Sequence, residues 1–315
     1  MDYKITFNSL LEMVTKLPTE KHCREYLEHM RWQGKTCCAH CGKNKTYKLK
    51  VAGEFNGLYK CASCRKRFTV RVGTILEGSH IGFQKWLFAI FIFTSHKKGI
   101  SSHQLAKDLA VTQKTAWFML QRIRLVLENR ETKIQFTGVT TMDETFVGGK
   151  NKNRHRDKKV PMSQGRSHKD KTPVFGAINN GYLVTKVIPD TKAKTLKPII
   201  RELCEQGSII VSDEWKGYWG LNKEFGHVVV NHMRKEYVNG DFSTNNVENF
   251  WSHLKRGIYG IYHKVSREHL HRYTSEFTYR FNTRDLSETE RFEKALKSSK
   301  NLRLTYKQLI GKSAA

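Results

Sequence analysis

Two closely spaced pairs of cysteines constrain what the first part of this chain can fold into more than any other feature. Cys38-Ala-His-Cys41 is followed, after nineteen residues, by Cys61-Ala-Ser-Cys64. Four thiolates at this spacing are typical of a structural Zn²⁺ site, and so small a segment cannot bury enough apolar surface to fold without metal. We therefore predict a zinc ribbon in which Cys38, Cys41, Cys61 and Cys64 hold one Zn²⁺. Cys37 could replace Cys38, although Cys38-x-x-Cys41 fits the pattern better, and the alternative is a set of reduced or redox-active thiols.

The charge of the chain indicates a polyanionic partner. Its 315 residues, enough for two or three domains, include 56 Lys and Arg against 29 Asp and Glu, a formal net charge of +27. This excess favours double-stranded DNA or other nucleic acid first, and an anionic membrane surface second. The longest apolar stretch, residues 86–93, is far shorter than the roughly 20 residues of a membrane span. Because no signal peptide is apparent and the cysteines suit a reducing compartment, we expect a cytoplasmic protein, associated with the nucleoid if bacterial.

Two aspartates stand at the ends of predicted strands. Asp143 closes one apolar run and Asp213 closes another. Each is followed by a second acid, Glu144 or Glu214, which strand alternation directs to the opposite face. A single strand-end aspartate is often only a turn or capping residue. The pattern therefore identifies the two positions but leaves open which face of each strand would meet a metal.

A glutamate in a predicted helix completes an acidic set. Glu248 lies 35 residues beyond Asp213, and Lys255 follows it after seven, a rotation of about 700°, or nearly two full turns. Glu248 and Lys255 therefore share one helix face with Asn245 and Ser252. Two strand aspartates and a helix glutamate can hold a pair of divalent cations, because Mg²⁺ prefers oxygen ligands. The apolar stripe of this helix, predicted to face a core, is Val247, Phe250, Trp251, Leu254 and Ile258.

Residues 80–132 are predicted to be helical and to contain a helix-turn-helix. After an apolar helix at residues 83–94, residues 101–109 and 110–123 have amphipathic patterns separated by a short turn, with Thr112 as the N-cap of the second helix. We predict that the exposed start of the second helix contacts bases and that its arginines contact phosphates. The alternative is a plain helical hairpin. The predicted DNA-binding residues here are Gln113, Lys114, Thr115 and Arg122, with Arg124 as a further phosphate contact.

The second half of the chain is predicted to be an α/β domain. Its order of three strands, helix, strand, helix or loop, strand and helix suits a ribonuclease H-like fold. The predicted strands are residues 135–142, 174–178, 183–188, 208–211 and 228–230, and the predicted helices are residues 192–205, 245–258 and 267–282. The protein is thus predicted to be a multi-domain α/β chain. Its domains are 1–79 (helical lead and zinc ribbon), 80–132 (helix-turn-helix), 133–290 (catalytic α/β domain) and 291–315 (C-terminal tail).

A strongly basic insertion interrupts this domain. Residues 150–171 contain nine Lys or Arg against two Asp and almost no apolar side chains. This composition favours a loop that is mobile until it binds a partner, although a solvated linker without function has the same composition. We predict that the loop follows a DNA backbone, with Lys150, Lys152, Arg154 and Arg156 as its contacts.

Three blocks of sequence resemble those of a known family. The three blocks are Met-Asp-Glu-Thr-Phe-Val-Gly-Gly-Lys (142–150), Val-Ser-Asp-Glu-Trp-Lys-Gly-Tyr (211–218) and Asn-Asn-Val-Glu-Asn-Phe-Trp-Ser-His-Leu-Lys-Arg (245–256). They are similar to blocks of the DDE-class bacterial insertion-sequence transposases that carry an N-terminal zinc ribbon. This group is related to the eukaryotic Merlin elements, and the resemblance extends from about residue 10 to about residue 285. Relatives often have a His shortly before the third block, where this chain has Asp-Phe-Ser-Thr. Some relatives have Asn in place of the third acid, so Asn245 and Asn246 are rivals to Glu248. The seven-residue step to Lys255 favours Glu248.

The resemblance implies a ribonuclease H-like domain in which Asp143, Asp213 and Glu248 hold two Mg²⁺ or Mn²⁺ ions, with Lys255 near the cleaved phosphate. It implies a transposase that binds the terminal repeats of its own mobile element and catalyses metal-dependent DNA cleavage and strand transfer. It also implies a homodimer or higher oligomer, because two transposon ends must be held together. Two other functions stay open: a zinc-ribbon DNA-binding regulator with an inactive α/β domain, and a metal-dependent nuclease without strand transfer.

Overall fold

The chain divides into two compact units. In the computed structural model the first unit comprises Met1–Leu127 and Asp285–Ala315, and the second comprises Glu128–Arg284. None of the helices formed by the described residues is both long enough and apolar enough to span a membrane. The four predicted domain boundaries stay predictions. The structure describes residues 5–128, 134–149, 151–161, 163, 167, 169–230, 238–239 and 242–311.

The described residues form ten α-helices and ten strands. In chain order the helices are α1 (Leu10–Lys16), α2 (Glu20–Trp32), α3 (Phe83–Ser95), α4 (Ser102–Leu109), α5 (Gln113–Leu127), α6 (Ala193–Leu203), α7 (Asn245–Gly257), α8 (Leu270–Asn282), α9 (Glu288–Lys297) and α10 (Tyr306–Leu309). The strands are β1 (Thr46–Val51), β2 (Glu54–Cys61), β3 (Arg67–Phe68), β4 (Val139–Val147), β5 (Thr172–Asn179), β6 (Tyr182–Val187), β7 (Ile209–Asp213), β8 (Gly226–Val230), β9 (Val238–Asn239) and β10 (Phe242–Ser243).

The cysteine-bearing segment forms a three-stranded antiparallel sheet in the order β1-β2-β3. β1 and β2 make a hairpin in which Thr46 lies opposite Cys61 and Val51 lies opposite Glu54. The second strand of the hairpin ends at Cys61 itself. The pairing brings the chain just before β1 close to the end of β2, so that the two cysteine pairs converge.

A cluster of aromatic side chains joins this ribbon to α2. Tyr59 and Phe68 lie opposite each other in β2 and β3, and their rings stack with centroids 5.5 Å apart. Trp32, the last residue of α2, meets the Tyr59 ring edge-on at 5.3 Å. All three side chains are buried. Burial of aromatic surface therefore supports the ribbon beside its predicted metal.

The predicted helix-turn-helix is formed by α4 and α5. At the start of α5 the Thr112 hydroxyl accepts a hydrogen bond from the backbone N–H of Thr115 at 3.2 Å, which is the capping role predicted for it. Ala110 adopts the left-handed conformation, with φ of +48°, in the turn between the helices. The apolar stripe of α5 is buried, namely Ala116, Met119, Leu120, Ile123 and Leu127.

Two arginines of α5 lie inside the first unit. Arg122 is 5% exposed, and its guanidinium donates to the backbone carbonyls of Ile75 at 2.8 Å and Leu304 at 3.1 Å. Arg124 is 1% exposed and lies over the Phe93 ring at 5.4 Å. This corrects the prediction that both reach DNA phosphates, because their charged groups are enclosed by contacts within the fold.

The C-terminal residues return to the first unit. Phe292 of α9 is fully buried, and its ring lies 5.4 Å from that of Phe7 and 6.0 Å from that of Phe91. The backbone N–H of Phe7 donates to the Thr289 hydroxyl at 2.9 Å. The segment that was predicted as a tail therefore includes a packed helix, because α9 carries an apolar face that completes this core.

The second unit is built on a five-stranded mixed sheet in the order β6-β5-β4-β7-β8. β4, β5 and β6 form an antiparallel meander, and β7 and β8 are added on the other side of β4 as parallel strands. With the strands renumbered within this unit the order is 3-2-1-4-5. The helix α6 follows the third strand, two short 3₁₀ turns follow the fourth, and α7 and α8 come after the fifth. This is the ribonuclease H-like fold, as the sequence pattern predicted.

Helices cover both faces of the sheet, and alternate side chains of β5 pack into the cores on its two faces. Phe175 and Ala177 belong to a core with α6, in which Leu196 and Ile200 are fully buried. On the other face, β5 and β6 pack against α7 and α8. The predicted apolar stripe of α7 is confirmed, since Val247, Phe250, Trp251, Leu254 and Ile258 are all buried.

The first strand of this sheet differs from its prediction. It was expected at residues 135–142, but β4 runs from Val139 to Val147. Gly138 has φ of +70°, which breaks the extended chain before β4, while antiparallel pairing with β5 continues to Val147 opposite Thr172. Asp143 therefore lies in the middle of a strand and not at its end.

The burial of Arg122 generates a stability prediction. Arg122→Ala leaves two backbone carbonyls of the first unit without their charged donor, and we expect the free energy of unfolding to fall by about 2 to 4 kcal/mol. Lys107→Ala removes an exposed cation from α4 and should change it by less than about 0.5 kcal/mol. Urea unfolding followed by circular dichroism measures both. A variant of Arg122 that loses DNA affinity at unchanged stability would contradict the structural role.

Candidate active site and metal centre

The four predicted zinc ligands converge. The Sγ atoms of Cys38, Cys41, Cys61 and Cys64 all lie within 4.8 Å of one another, and this is the one such cluster of metal-binding side chains found among the described residues. The Cys38–Cys64 and Cys41–Cys61 sulfur pairs are each 3.6 Å apart. Tetrahedral zinc with bonds of about 2.3 Å requires sulfurs about 3.8 Å apart. The geometry therefore fits one tetrahedral ion, and Cys37 is not part of the cluster.

Backbone hydrogen bonds favour the thiolate form of one of the four ligands, Cys61. The backbone N–H of Cys64, and less strongly that of Ser63, donates to the Cys61 sulfur and lowers the pKa of its thiol to about 6. A thiolate is the form that binds metal. His40, between two of the ligands, directs its Nε2 to the Arg67 carbonyl at 3.2 Å and has no place in the cluster.

The two aspartates meet through the pairing of β4 with β7. These strands are parallel, with Val139 beside Ile209 and Thr141 beside Val211, an offset of 70 residues. The same offset joins Asp143 to Asp213, two residues further along, so the two residues stand at one level of the sheet. Neighbouring strands are about 4.8 Å apart, and residues at one level face the same side.

A cavity of about 540 Å³ opens in front of this pair. The predicted third acid, Glu248, lines it from α7 together with Ser252 and Lys255, as expected from the shared helix face. Glu248 is exposed, and its carboxylate accepts a hydrogen bond from the Thr244 hydroxyl at 3.3 Å. The cavity is lined by Asp143, Glu144, Thr145, Phe146, Lys171, Asp213, Glu248, Trp251, Ser252 and Lys255.

Burial and the neighbouring carboxylates raise the proton affinity of Asp143. Burial, and then the charges of Asp213 and Glu248, raise the pKa of Asp143 to about 7. Burial also lowers the pKa of Lys255, which the nearby Asp143 carboxylate partly opposes. Three carboxylates that repel one another around a cavity form a donor set that suits hard divalent cations.

Trp251 is a site residue that the sequence pattern did not single out. Its indole N–H donates to Asp143 Oδ2 at 2.9 Å, although its position in the apolar stripe suggested only a core role. Gly176, opposite Asp143 in β5, makes the space for it, because a Cβ there would lie 2.6 Å from the Trp251 ring. The apolar periodicity predicted the burial of Trp251 but contained no signal for its hydrogen bond.

The neighbouring acids have different partners. Glu144 accepts a hydrogen bond from the hydroxyl of Tyr218, which is fully buried and whose pKa is raised mainly by that burial. Asp213 accepts one from the backbone N–H of Trp215 at 3.0 Å. The segment after β7 thus supports both strands: one of its residues caps Asp213, and another contacts β4.

The predicted base-contacting residues of α5 lie at its N-terminal end. Gln113 and Lys114 are exposed, and Thr115 is half-buried. The Gln113 amide donates to the Ser102 hydroxyl at 2.7 Å, and the Lys114 ammonium lies 5.3 Å from the Tyr306 ring. Gln113 and Lys114 are therefore accessible to solvent, while Thr115 is partly covered, and the contact of all three with bases stays a prediction.

The described part of the basic insertion has local structure. Single 3₁₀ turns span Asn151–Asn153 and Arg156–Lys158. The Arg154 guanidinium lies 3.7 Å from the buried carboxylate of Asp170, so it contributes to the anchoring of the insertion. Arg156 is exposed. Lys150 and the side chain of Lys152 lie outside the described residues.

Comparisons with known proteins identify the family of this chain. The family profile described as the ISXO2-like transposase domain matches residues 135–282, and the one described as the transposase zinc-ribbon domain matches residues 18–67. A Haemophilus influenzae protein, described as an uncharacterized transposase-like protein, is 34% identical over 103 residues. These cover 32% of this chain and 82% of that protein.

Two solved structures are also similar in part. They are a pre-cleavage Mos1 transpososome, at 14% identity, and a Mos1 transposase paired-end complex with left transposon end, at 16% identity. Each match covers 67% of this chain, and 78% and 77% of those chains, with a TM-score of 0.25. Similarity of this extent adds nothing to the fold derived from the strand order.

The cysteine cluster predicts one zinc ion per chain. Cys61→Ser removes a ligand from the end of β2, and we expect the variant to lose its zinc and the fold of the ribbon while the second unit remains folded. Elemental analysis and limited proteolysis measure the two effects. Cys37→Ser is the matched control and should keep about one zinc per chain. Retention of stoichiometric zinc by Cys61→Ser would contradict the assignment.

The raised pKa of Asp143 predicts a pH-dependent stability. The pKa of the Asp143 carboxyl is about 4 in an unfolded chain and about 7 in the folded protein. Because the unfolded chain loses this proton at the lower pH, the free energy of unfolding falls progressively as pH rises from about 4 to about 7. Without added Mg²⁺ or Mn²⁺, Asp143→Asn should therefore stabilise the protein, by about 1 to 3 kcal/mol at pH 8 and by less at pH 5.

Thermal unfolding at the two pH values tests this expectation, with the exposed Asp157→Asn as control. Added Mn²⁺ should raise the melting temperature of the unaltered protein more than that of Asp143→Asn. Equal effects of Asp143→Asn and Asp157→Asn at both pH values would contradict the electrostatic account.

Proposed function

Because the chain belongs to the ISXO2-like transposases, we propose that it cuts DNA at the ends of a mobile element and transfers the released ends to a target. Asp143, Asp213 and Glu248 are its proposed catalytic acids. The observation that carries the proposal is the pair of aspartates at one level of two parallel strands, facing one cavity with Glu248 and Lys255. A regulator would not need such a set, because buried acids that repel one another cost stability.

Two Mg²⁺ or Mn²⁺ ions are the proposed cofactors of this cavity. The fit rests on the donor set: Asp143, whose pKa is raised, shares the cavity with Asp213 and Glu248, and a bound cation would keep the Asp143 carboxylate ionised at neutral pH. When bound, the ions would activate the attacking water or 3′-hydroxyl and stabilise the leaving oxygen. The cysteine cluster would hold a single structural Zn²⁺.

The protein side chains have separate tasks in this proposal. Trp251 holds the Asp143 carboxylate in one orientation through its indole N–H. Lys255 contributes an ammonium group that can grip a phosphate beside the cleaved bond, and Ser252 lies next to it on the same wall. Attack by water, and later by the 3′-hydroxyl, requires no covalent intermediate between protein and DNA.

DNA binding is proposed for three regions. The zinc ribbon and the exposed start of α5, with Gln113, Lys114 and Thr115, would recognise the terminal repeats. The basic insertion, through Lys150, Lys152 and Arg156, would contact the DNA backbone. The large positive charge of the chain supports these contacts. A homodimer or higher oligomer on DNA is proposed because the reaction joins two ends.

Amide substitutions test the acids. Asp143→Asn, Asp213→Asn and Glu248→Gln should each lower cleavage and strand transfer by at least about a thousandfold and leave DNA binding intact, because an amide keeps the shape but loses the charge that holds a cation. The assay uses a duplex of the inverted repeat flanking the gene, with joined products scored separately from cut ones. Cutting without joining would favour a nuclease.

The third acid needs its own comparison. The cleavage rate of Glu248→Gln is compared with those of Asn245→Ala and Asn246→Ala on the same duplex, because all three residues lie in the first turn of α7. We expect only the Glu248 variant to lose cleavage. Normal cutting by that variant, together with loss of cutting in an Asn variant, would assign the third ligand to the Asn.

A further inference from the structure

A second lysine shares the cavity with Lys255. Lys171 lines the same cavity as Asp143, Asp213 and Glu248, but it lies outside α7, which carries Lys255. It immediately precedes β5, whose first residue, Thr172, pairs with the last residue of β4. The cavity thus receives one ammonium group from a helix and another from the end of a strand hairpin.

The backbone around Lys171 is held firmly by contacts within the unit. Arg267 donates to the Lys169 carbonyl at 2.9 Å, and the buried Asp170 carboxylate lies 3.7 Å from the Arg154 guanidinium. Gly148 packs closely against it as well, because a Cβ there would lie 3.0 Å from Lys171 Cγ. Lys171 is therefore the fixed end of the basic insertion, and its position in the cavity is not that of a solvated loop residue.

The two lysines are close enough to influence each other. The positive charge of Lys171 contributes to lowering the pKa of Lys255, after burial, and the Asp143 carboxylate opposes both effects. Two cations held near each other gain from an anion that contacts both. A phosphodiester is such an anion, and it is the group that the proposed function brings to this cavity.

We propose that Lys171 is a second phosphate-binding residue of the active site, which holds the DNA backbone beside the cleaved bond together with Lys255. The inference rests on the proposed function and adds a residue to it. It also gives the basic insertion a defined role: its C-terminal end acts inside the active site, while Arg156 contacts DNA elsewhere.

The test compares Lys171→Ala with Lys169→Ala on the inverted-repeat duplex. Both remove one positive charge from the same segment, but the Lys169 side chain is exposed and is not among the cavity residues. Lys171→Ala should lower the single-turnover cleavage rate about tenfold to a hundredfold while the Kd for the duplex changes less than about threefold. Lys169→Ala should cut at the normal rate. Lys171→Gln serves in place of the Ala variant if that protein is unstable.

Neutral phosphates identify the contact. A set of duplexes is made, each with a single neutral methylphosphonate at a different position flanking the cleaved bond. One of them should lower the cleavage rate of the unaltered protein as much as Lys171→Ala does, and it should not lower the rate of that variant any further. Additive effects at every position, or normal cutting by Lys171→Ala, would overturn the inference. Loss of cleavage in Asp143→Asn beside normal cutting by Lys171→Ala would leave the proposed function standing and refute only the role of Lys171.

Discussion

The parallel pairing of β4 with β7 is the constraint on which the second unit depends. It brings Asp143 and Asp213, 70 residues apart in sequence, to the same level of one sheet. The pairing is possible because β5 and β6 occupy the other edge of β4 as an antiparallel meander, which leaves this edge for a strand that arrives after α6. The backbone pairing of the sheet therefore places the two positions side by side, and this limits how far apart their carboxylates can lie.

This arrangement is electrostatically unfavourable without cations. The raised pKa of Asp143 means that, at neutral pH, the folded protein either retains a proton there or bears repelling charges. A hydrogen bond from Trp251 only partly offsets the burial. The cost is tolerable because the sheet is covered by apolar cores on both faces. The first unit faces a different constraint, because its ribbon is too small for a large apolar core and combines four converging sulfurs with an aromatic cluster.

Local patterns predicted a large part of this structure. The spacing of the cysteines, the period of α7 and the order of strands and helices each depend on residues close in sequence, and all appear as predicted. Contacts between distant residues were not predictable. Arg122 was assigned to DNA because its charge is visible in sequence, while the carbonyls of Ile75 and Leu304 that enclose it are set by tertiary packing. The length of β4 and the hydrogen bond of Trp251 depend on β5 in the same way.

The position of α7 links the core to the chemistry. Glu248, Trp251, Ser252 and Lys255 all line the cavity from this helix, so a shift of α7 would move an acid, a hydrogen-bond donor and a cation together. Close contacts at two glycines restrict such a shift: a Cβ on Gly176 would clash with the Trp251 ring, and one on Gly257 would lie 2.0 Å from Phe277 of α8. Because the two contacts lie on different neighbours, they oppose both translation and rotation of the helix. The precision of the acidic set is therefore determined by apolar packing that touches no substrate.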